Sequence, residues 1–285
     1  MSVATDARPV VGVVEPTRSR RRRNRRLVIN LMRLLVVAVL LAAWEFLPKI
    51  EALQETSKVF DPFFVSSPSR VFEQMQAMFT GSDGTFQIWD YAWPTIWASL
   101  VGTVIGMALG ALCALVLSNF EMLSDIFRPF LIAANATPRV ALIPIVVILV
   151  GPSATATITI SVLVVFFVAF FNAYEGGRSV KPELVQNARL LGASQLQIVR
   201  TIRFPYVLAW TLASLPLAVT FAVITVVTAE ILTGVQGMGK LLSTASTTAN
   251  ATLTYAVVIV LSVLGVVIVV AADLIRARLL HWWAK

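Results

Sequence analysis

Cysteine, histidine and charge are all scarce in this chain. Its 285 residues include one cysteine, Cys113, and one histidine, His281. A single thiol excludes a disulfide framework within the chain and a thiolate metal site. A single imidazole, lodged in the tail beside Trp282 and Trp283, leaves no Ser/His or His/Glu metal constellation for an intramembrane enzyme. The two tryptophans read as an interfacial anchor. Charged residues make up 13% of the chain, against about a quarter in an ordinary soluble domain.

What fills the chain instead is apolar: 58% of it is hydrophobic. Long apolar runs lie at residues 34–47, 93–117, 140–150, 154–171, 207–232 and 253–274. A spanning helix needs roughly 20 such residues, and most of these runs reach that length with their flanks. The expected fold is an all-α membrane protein with six transmembrane helices, at about 27–48, 92–118, 130–151, 154–174, 206–232 and 253–276. The third qualifies only if it starts near Phe130 and accommodates Pro138 and Pro144. Residues 27–285 then form one membrane domain behind a basic, disordered tail, 1–26.

The net charge of +8 is unevenly spread. Arg18, Arg20, Arg21, Arg22, Arg23, Arg25 and Arg26 abut the first span, where a basic run sets topology and is not a nucleic-acid site. That run places the N-terminus in the cytoplasm. The cytoplasmic loops then carry Arg128, Arg139, Arg178, Lys181, Arg189, Arg200 and Arg203, and the tail carries Arg276, Arg278 and Lys285. The outer loops hold only Lys49, Lys58, Arg70 and Lys240. An even number of spans brings the C-terminus back inside as well.

Inside the spans, Gly102, Gly106 and Gly110 form a small-residue stripe that lets another helix approach closely. Pro216 removes a backbone hydrogen bond from the fifth span and predicts a kink. In the first outer loop, Val71, Phe72, Met75, Met78 and Phe79 recur at helical spacing after Ser67. They predict an amphipathic helix, lying on the outer membrane surface or packed as a cap over the spans. Glu45 and Asp273 sit at span ends. Glu230 precedes a glycine-rich loop and is the expected pathway-facing carboxylate, with Pro216, Gly237 and Gly239 as the other pathway candidates. The same loop mimics a phosphate-binding G-x-x-x-x-G-K, from Gly234 to Lys240. Leu241 stands where a magnesium-binding hydroxyl belongs, and a membrane span precedes the loop. No nucleotide, metal or other cofactor is expected on this chain.

Between the fourth and fifth runs lies a polar segment, ELVQNARLLGASQLQIVRTIRFP, from Glu183 to Pro205. Pro182 suits a first helical turn, and Leu184, Ala188 and Leu191 form an apolar stripe. Gly192 suits a left-handed C-terminal cap. Ser194 and Gln197 form a capping-box pattern that starts a second helix. Two short helices around a glycine turn exceed what a connector needs. Such a shaped cytoplasmic knuckle offers a soluble partner something to hold.

This segment resembles the EAA loop of ABC importer permeases, whose pattern is E-A-A, three residues, G, about nine residues, then I-x-L-P. Here Gln186-Asn187-Ala188, Gly192 and Ile202-Arg203-Phe204-Pro205 match that spacing, with Gln186, Asn187 and Phe204 as departures. Asn172 to Arg178, Ala193, Ala229-Glu230, Gly237-Met238-Gly239, Ser67-Pro68-Ser69, Pro138 and Ala141 to Pro144 are similar to the nitrate, sulfonate and taurine branch. The resemblance implies a permease in a bacterial cytoplasmic membrane, working as two copies. Two cytoplasmic ATPase subunits, which carry ATP and magnesium, would grip Gln186, Asn187, Ala188, Arg189, Gly192 and Ala193. An extracytoplasmic binding protein would deliver the solute: nitrate, an alkanesulfonate, taurine or a vitamin precursor. A secondary transporter is the competing class. It usually needs more spans and buried ionisable or broken-helix sites near mid-membrane.

Overall fold

The computed structural model describes residues 18–50, 62–81 and 87–283. They form two units, Met1–Pro62 and Phe63–Lys285. In the first, helix α1 runs from Arg18 to Phe46, so Arg18 to Arg26, expected within the tail, are its first turns; residues 1–17 lie outside the described residues. Its apolar stretch meets the length and hydropathy of a span, and residues 28–42 are exposed within the unit.

The second unit is built on long helices, with no strand among the described residues. Helix α2 is Pro68–Thr80, α3 is Trp89–Asn119 and α4 is Glu121–Ala136. A turn at Arg139–Leu142 leads into α5, Ile143–Val150. Helix α6 is Ala154–Arg178. The knuckle helices are α7, Pro182–Leu190, and α8, Gln195–Ile198. Helices α9, Phe204–Ala213, and α10, Leu215–Thr233, carry the fifth run. Helix α11 is Met238–Thr247 and α12 is Ala251–Leu279. Four of these, α3, α6, α10 and α12, are each long and apolar enough to cross a membrane. With α1 and the pair α4–α5, the count reaches the six expected.

The third run departs from expectation. It is not one helix over 130–151 but two, bent by 88° at the Thr137–Pro138 break. Proline has no N–H to give, and it drives the preceding residue out of helical geometry; Thr137 accordingly has φ −66° and ψ 130°. Arg139, expected in a cytoplasmic loop, follows that break and lies over the Phe167 ring of α6, 5.9 Å from its centroid. In the fifth run the break falls at Ser214, between α9 and α10, two residues before Pro216.

The core is the seam between α3 and α6. A β-carbon at Gly102 would lie 2.2 Å from Ser161 Oγ, and one at Gly110 would lie 2.7 Å from the Phe166 carbonyl oxygen. The stripe read in the sequence is therefore a place where only hydrogen fits. Met107, Val165, Ala169, Ala218 and Ala222 pack beside it, joining α10 to the seam. Of the two readings of α2, the packed cap holds: Val71 and Met78 are buried, α2 packs on α12, and Ser66 Oγ is 2.8 Å from Thr252 Oγ1.

Gly110→Ala should destabilise the fold by about 1–3 kcal/mol, because the obstructing atoms are backbone. Gly265→Ala, where a β-carbon meets open space, should not destabilise it. Thermal unfolding in detergent tests both, and equal midpoints for the two variants would contradict the seam.

Candidate functional site

The knuckle is ordered by its own backbone. At the end of α7, Gly192 N–H donates to the Arg189 carbonyl (3.0 Å) and Ala193 N–H to the Ala188 carbonyl (3.0 Å). These are the two bonds of a Schellman cap. Gly192 takes φ +82°, the left-handed geometry that only glycine adopts without strain. One residue on, the capping box predicted from Ser194 and Gln197 is complete. Gln197 N–H donates to Ser194 Oγ (3.4 Å) and Ser194 N–H to Gln197 Oε1 (2.7 Å). The two helices are thereby stopped and started within four residues.

The root of the knuckle is fixed to the span ends. Arg203 donates to the Ser118 carbonyl at the end of α3. A β-carbon at Gly177 would lie 2.5 Å from Ser118 Oγ, and one at Gly176 would lie 2.6 Å from Trp210 Cβ. Tyr174 hydrogen bonds Ser124 of α4 and accepts from Arg178 Nη1 at 3.1 Å. Ile198 is buried. None of these root contacts was expected from the sequence; paired glycines ahead of a loop were their one signal.

The tip, by contrast, is bare. Leu190, Leu191 and Leu196 are 85%, 88% and 76% exposed. Three large apolar side chains on a polar loop are thus left uncovered in the single chain. Gln186, Asn187, Arg189 and Gly192 are exposed, while Ala188 and Ala193 are half-buried. Gln186 and Arg189 also line a cleft of about 650 Å³ with Asp125, Tyr174, Arg178 and Arg203. All six residues expected to meet a partner therefore belong to one small object.

The second candidate cluster is different from its expectation. Glu230 is 1% exposed. Thr95 Oγ1 donates to its carboxylate at 2.8 and 2.9 Å, and Gly239 N–H donates to Oε2 at 2.8 Å. Met238 N–H in turn donates to Thr95 Oγ1 at 2.9 Å. Glu230 faces inward because it accepts from the free Gly239 amide in the first turn of α11, while Thr95 takes the Met238 amide. It joins α3, α10 and α11 and is enclosed within the chain. Gly237 and Gly239 are the cradle: a β-carbon would lie 2.1 Å from the Glu230 carboxylate at the first and 2.3 Å from the Val227 carbonyl at the second. Thr95 was invisible in the sequence, since one threonine in a long span carries no pattern. Pro216, half-buried, starts α10 beside an open groove of about 590 Å³ between α10 and α12, lined by Thr220, Ile224, Thr228, Ser262 and Val266.

Residues 102–281 match the family model described as the inner membrane component of binding-protein-dependent transport systems. A probable ABC transporter permease protein of Haemophilus influenzae is 26% identical over 80% of this chain and 88% of its own length. The riboflavin transport system permease protein RibX of Chloroflexus aurantiacus is 24% identical over 79% and 83%. The taurine transport system permease protein TauC of Escherichia coli is 24% identical over 86% and 87%. Among solved structures, a chain of the MetNI methionine ABC transporter, in inward-facing form, superposes with a TM-score of 0.57. It is 20% identical, covering 66% of this chain and 94% of that one, so the likeness is one of fold.

Gly237→Ala should push Glu230 off the start of α11 and leave the Gly239 amide unpaired. Thr95→Val should leave the Met238 amide unpaired. Hydrogen–deuterium exchange in detergent should show faster exchange at 238–241 in both variants. Unchanged exchange there would contradict the joint.

Proposed function

The chain belongs to the family of binding-protein-dependent transport system inner membrane components, and from that premise we propose that its knuckle is the handle by which cytoplasmic ATPase subunits drive it. The chain is an ABC-importer permease subunit; what we add is the assignment of its parts. The observation that carries it is the contrast within the 175–205 loop and the turn of α6 that leads into it: a root fixed to three helices and a tip that exposes three leucines. A lever needs a stiff connection at one end and a free grip at the other. Gln186, Asn187, Ala188, Arg189, Gly192 and Ala193 form the grip.

On this reading the knuckle end is cytoplasmic and the α11 end faces outward, where an external binding protein docks. Two copies form the pathway. ATP and magnesium belong to the ATPase, and this chain hydrolyses nothing. Two amides of the Gly234–Lys240 loop are already taken, Gly239 N–H by Glu230 and Met238 N–H by Thr95. Closing of the ATPases would draw the knuckles together and pivot the spans, exposing the cavity to one side and then the other. The solute is a small organic or inorganic anion or a vitamin precursor, as the taurine and riboflavin relatives suggest.

Gly192→Asp places a β-carbon on a left-handed backbone, which costs about 1 kcal/mol or more, and an unpaired charge on the grip. Insertion and assembly should survive, because the residue is exposed and its surroundings are open. In proteoliposomes carrying the whole complex, solute uptake and binding-protein stimulation of ATP turnover should fall together by at least about tenfold. Gln186→Ala, with no ion pair to lose, should be milder. Transport near wild type in an assembled Gly192→Asp complex would contradict the assignment.

A further inference from the structure

At the knuckle end of α6 the chain turns from apolar to polar within two helical turns. The apolar run ends at Phe171, and Asn172, Glu175 and Arg178 follow before the helix stops. Phe171 and Arg178 are about 10 Å apart along the axis, at about 1.5 Å per residue. That distance is close to the depth of the headgroup layer on one side of a bilayer. The last turns of α6, a helix long and apolar enough to cross a membrane, therefore lie at a membrane–water boundary.

A cleft of about 440 Å³ lies there between α4 and α6, and its two walls differ. Leu131, Ile132, Phe170 and Phe171 make one wall apolar, while Arg128, Arg178, Ser124 and Tyr174 make the other polar. The polar wall is held together by its own bonds. Tyr174 hydrogen bonds Ser124, and Arg178 Nη1 donates to the Tyr174 hydroxyl at 3.1 Å. Arg128 is exposed and makes no hydrogen bond or ion pair among the described residues.

Two carboxylates face this region. Glu175 lines the cleft itself, and Asp125 lines the adjoining one with Arg189 and Arg203. Neither forms an ion pair among the described residues. Within the cleft, Arg128 and Arg178 against Glu175 leave one positive charge. One net positive charge beside an apolar wall fits a ligand with one negative charge and a hydrocarbon chain. A soluble anion would leave the wall uncovered, and a zwitterionic lipid would leave the charge unbalanced. Basic pockets between spanning helices hold anionic headgroups, and guanidinium groups take phosphate oxygens in pairs.

We propose that this cleft binds an anionic phospholipid of the inner leaflet, with its phosphate on Arg128 and Arg178 and an acyl chain along Leu131 and Phe171. The proposal rests on the cytoplasmic placement of the knuckle end and not on its coupling role.

The test is native mass spectrometry of the full-length permease in detergent. It is titrated with phosphatidylglycerol, and separately with phosphatidylethanolamine of the same chains. Phosphatidylglycerol should be retained in preference. Arg128→Gln and Arg178→Gln should each weaken its retention by about fivefold, the worth of one arginine at an anionic headgroup. Arg128→Lys should keep most of it. Arg200→Gln, exposed and outside both clefts, should leave it unchanged. Free glycerophosphoglycerol, the headgroup without chains, should not displace the lipid. Equal retention of the two lipids, a loss as large in Arg200→Gln, or displacement by the free headgroup would overturn the proposal. So would loss of self-association in Arg128→Gln, seen in the same spectra, which would give the cleft to a second copy. None of these results touches the coupling role of the knuckle, which Gly192→Asp tests separately.

Discussion

The approach of α3 to α6 is the constraint on which the other features depend. Lipid supplies no hydrophobic force between helices, so contact must come from close van der Waals packing. At Gly102, Gly106 and Gly110 the helices meet so closely that a β-carbon would overlap Ser161, Val165 or the Phe166 backbone. Surfaces matched this tightly resist sliding. Helix α6 therefore transmits position along its length, and both ends of the molecule are referred to it. At one end Gly176 and Gly177 press against Trp210 and Ser118 and fix the knuckle root. At the other, α3 presents Thr95 to Glu230, and the joint fixes the start of α11.

On the proposed coupling role, a stiff fold of the knuckle has a use: a loose loop could be gripped but could not push. The Schellman cap at Gly192 and the capping box at Ser194 set the angle between two short helices that could not hold it alone, because helices this short are marginal in water. The leucines at the tip remain uncovered in a single chain. The groove between α10 and α12 has a different character: it is lined mostly by valine, isoleucine and leucine, with the Thr220, Thr228 and Ser262 hydroxyls turned back onto their own helices.

The sequence was most informative where one residue has one physical use. The glycine stripe, the turn at Gly192 and the box at Ser194 were each legible because glycine and capping side chains have narrow roles. The spans were legible from hydropathy, and the helix after Ser67 from its spacing. Two features were not. Glu230 was placed on a pathway because an acid near a span end has no pattern that distinguishes an enclosed joint from an open site; only the distant Thr95 decides it. The root contacts of Arg203, Ser118 and Tyr174 come from three separated helices and leave no local trace.

Whether the knuckle tip meets the ATPase is read from hydrogen–deuterium exchange of the permease alone against that of the assembled complex. If it does, exchange slows in residues 182–198, centred on Leu190 to Leu196, with the α11 end unchanged. Slowed exchange elsewhere in the chain, with residues 182–198 exchanging as they do in the free permease, would contradict it.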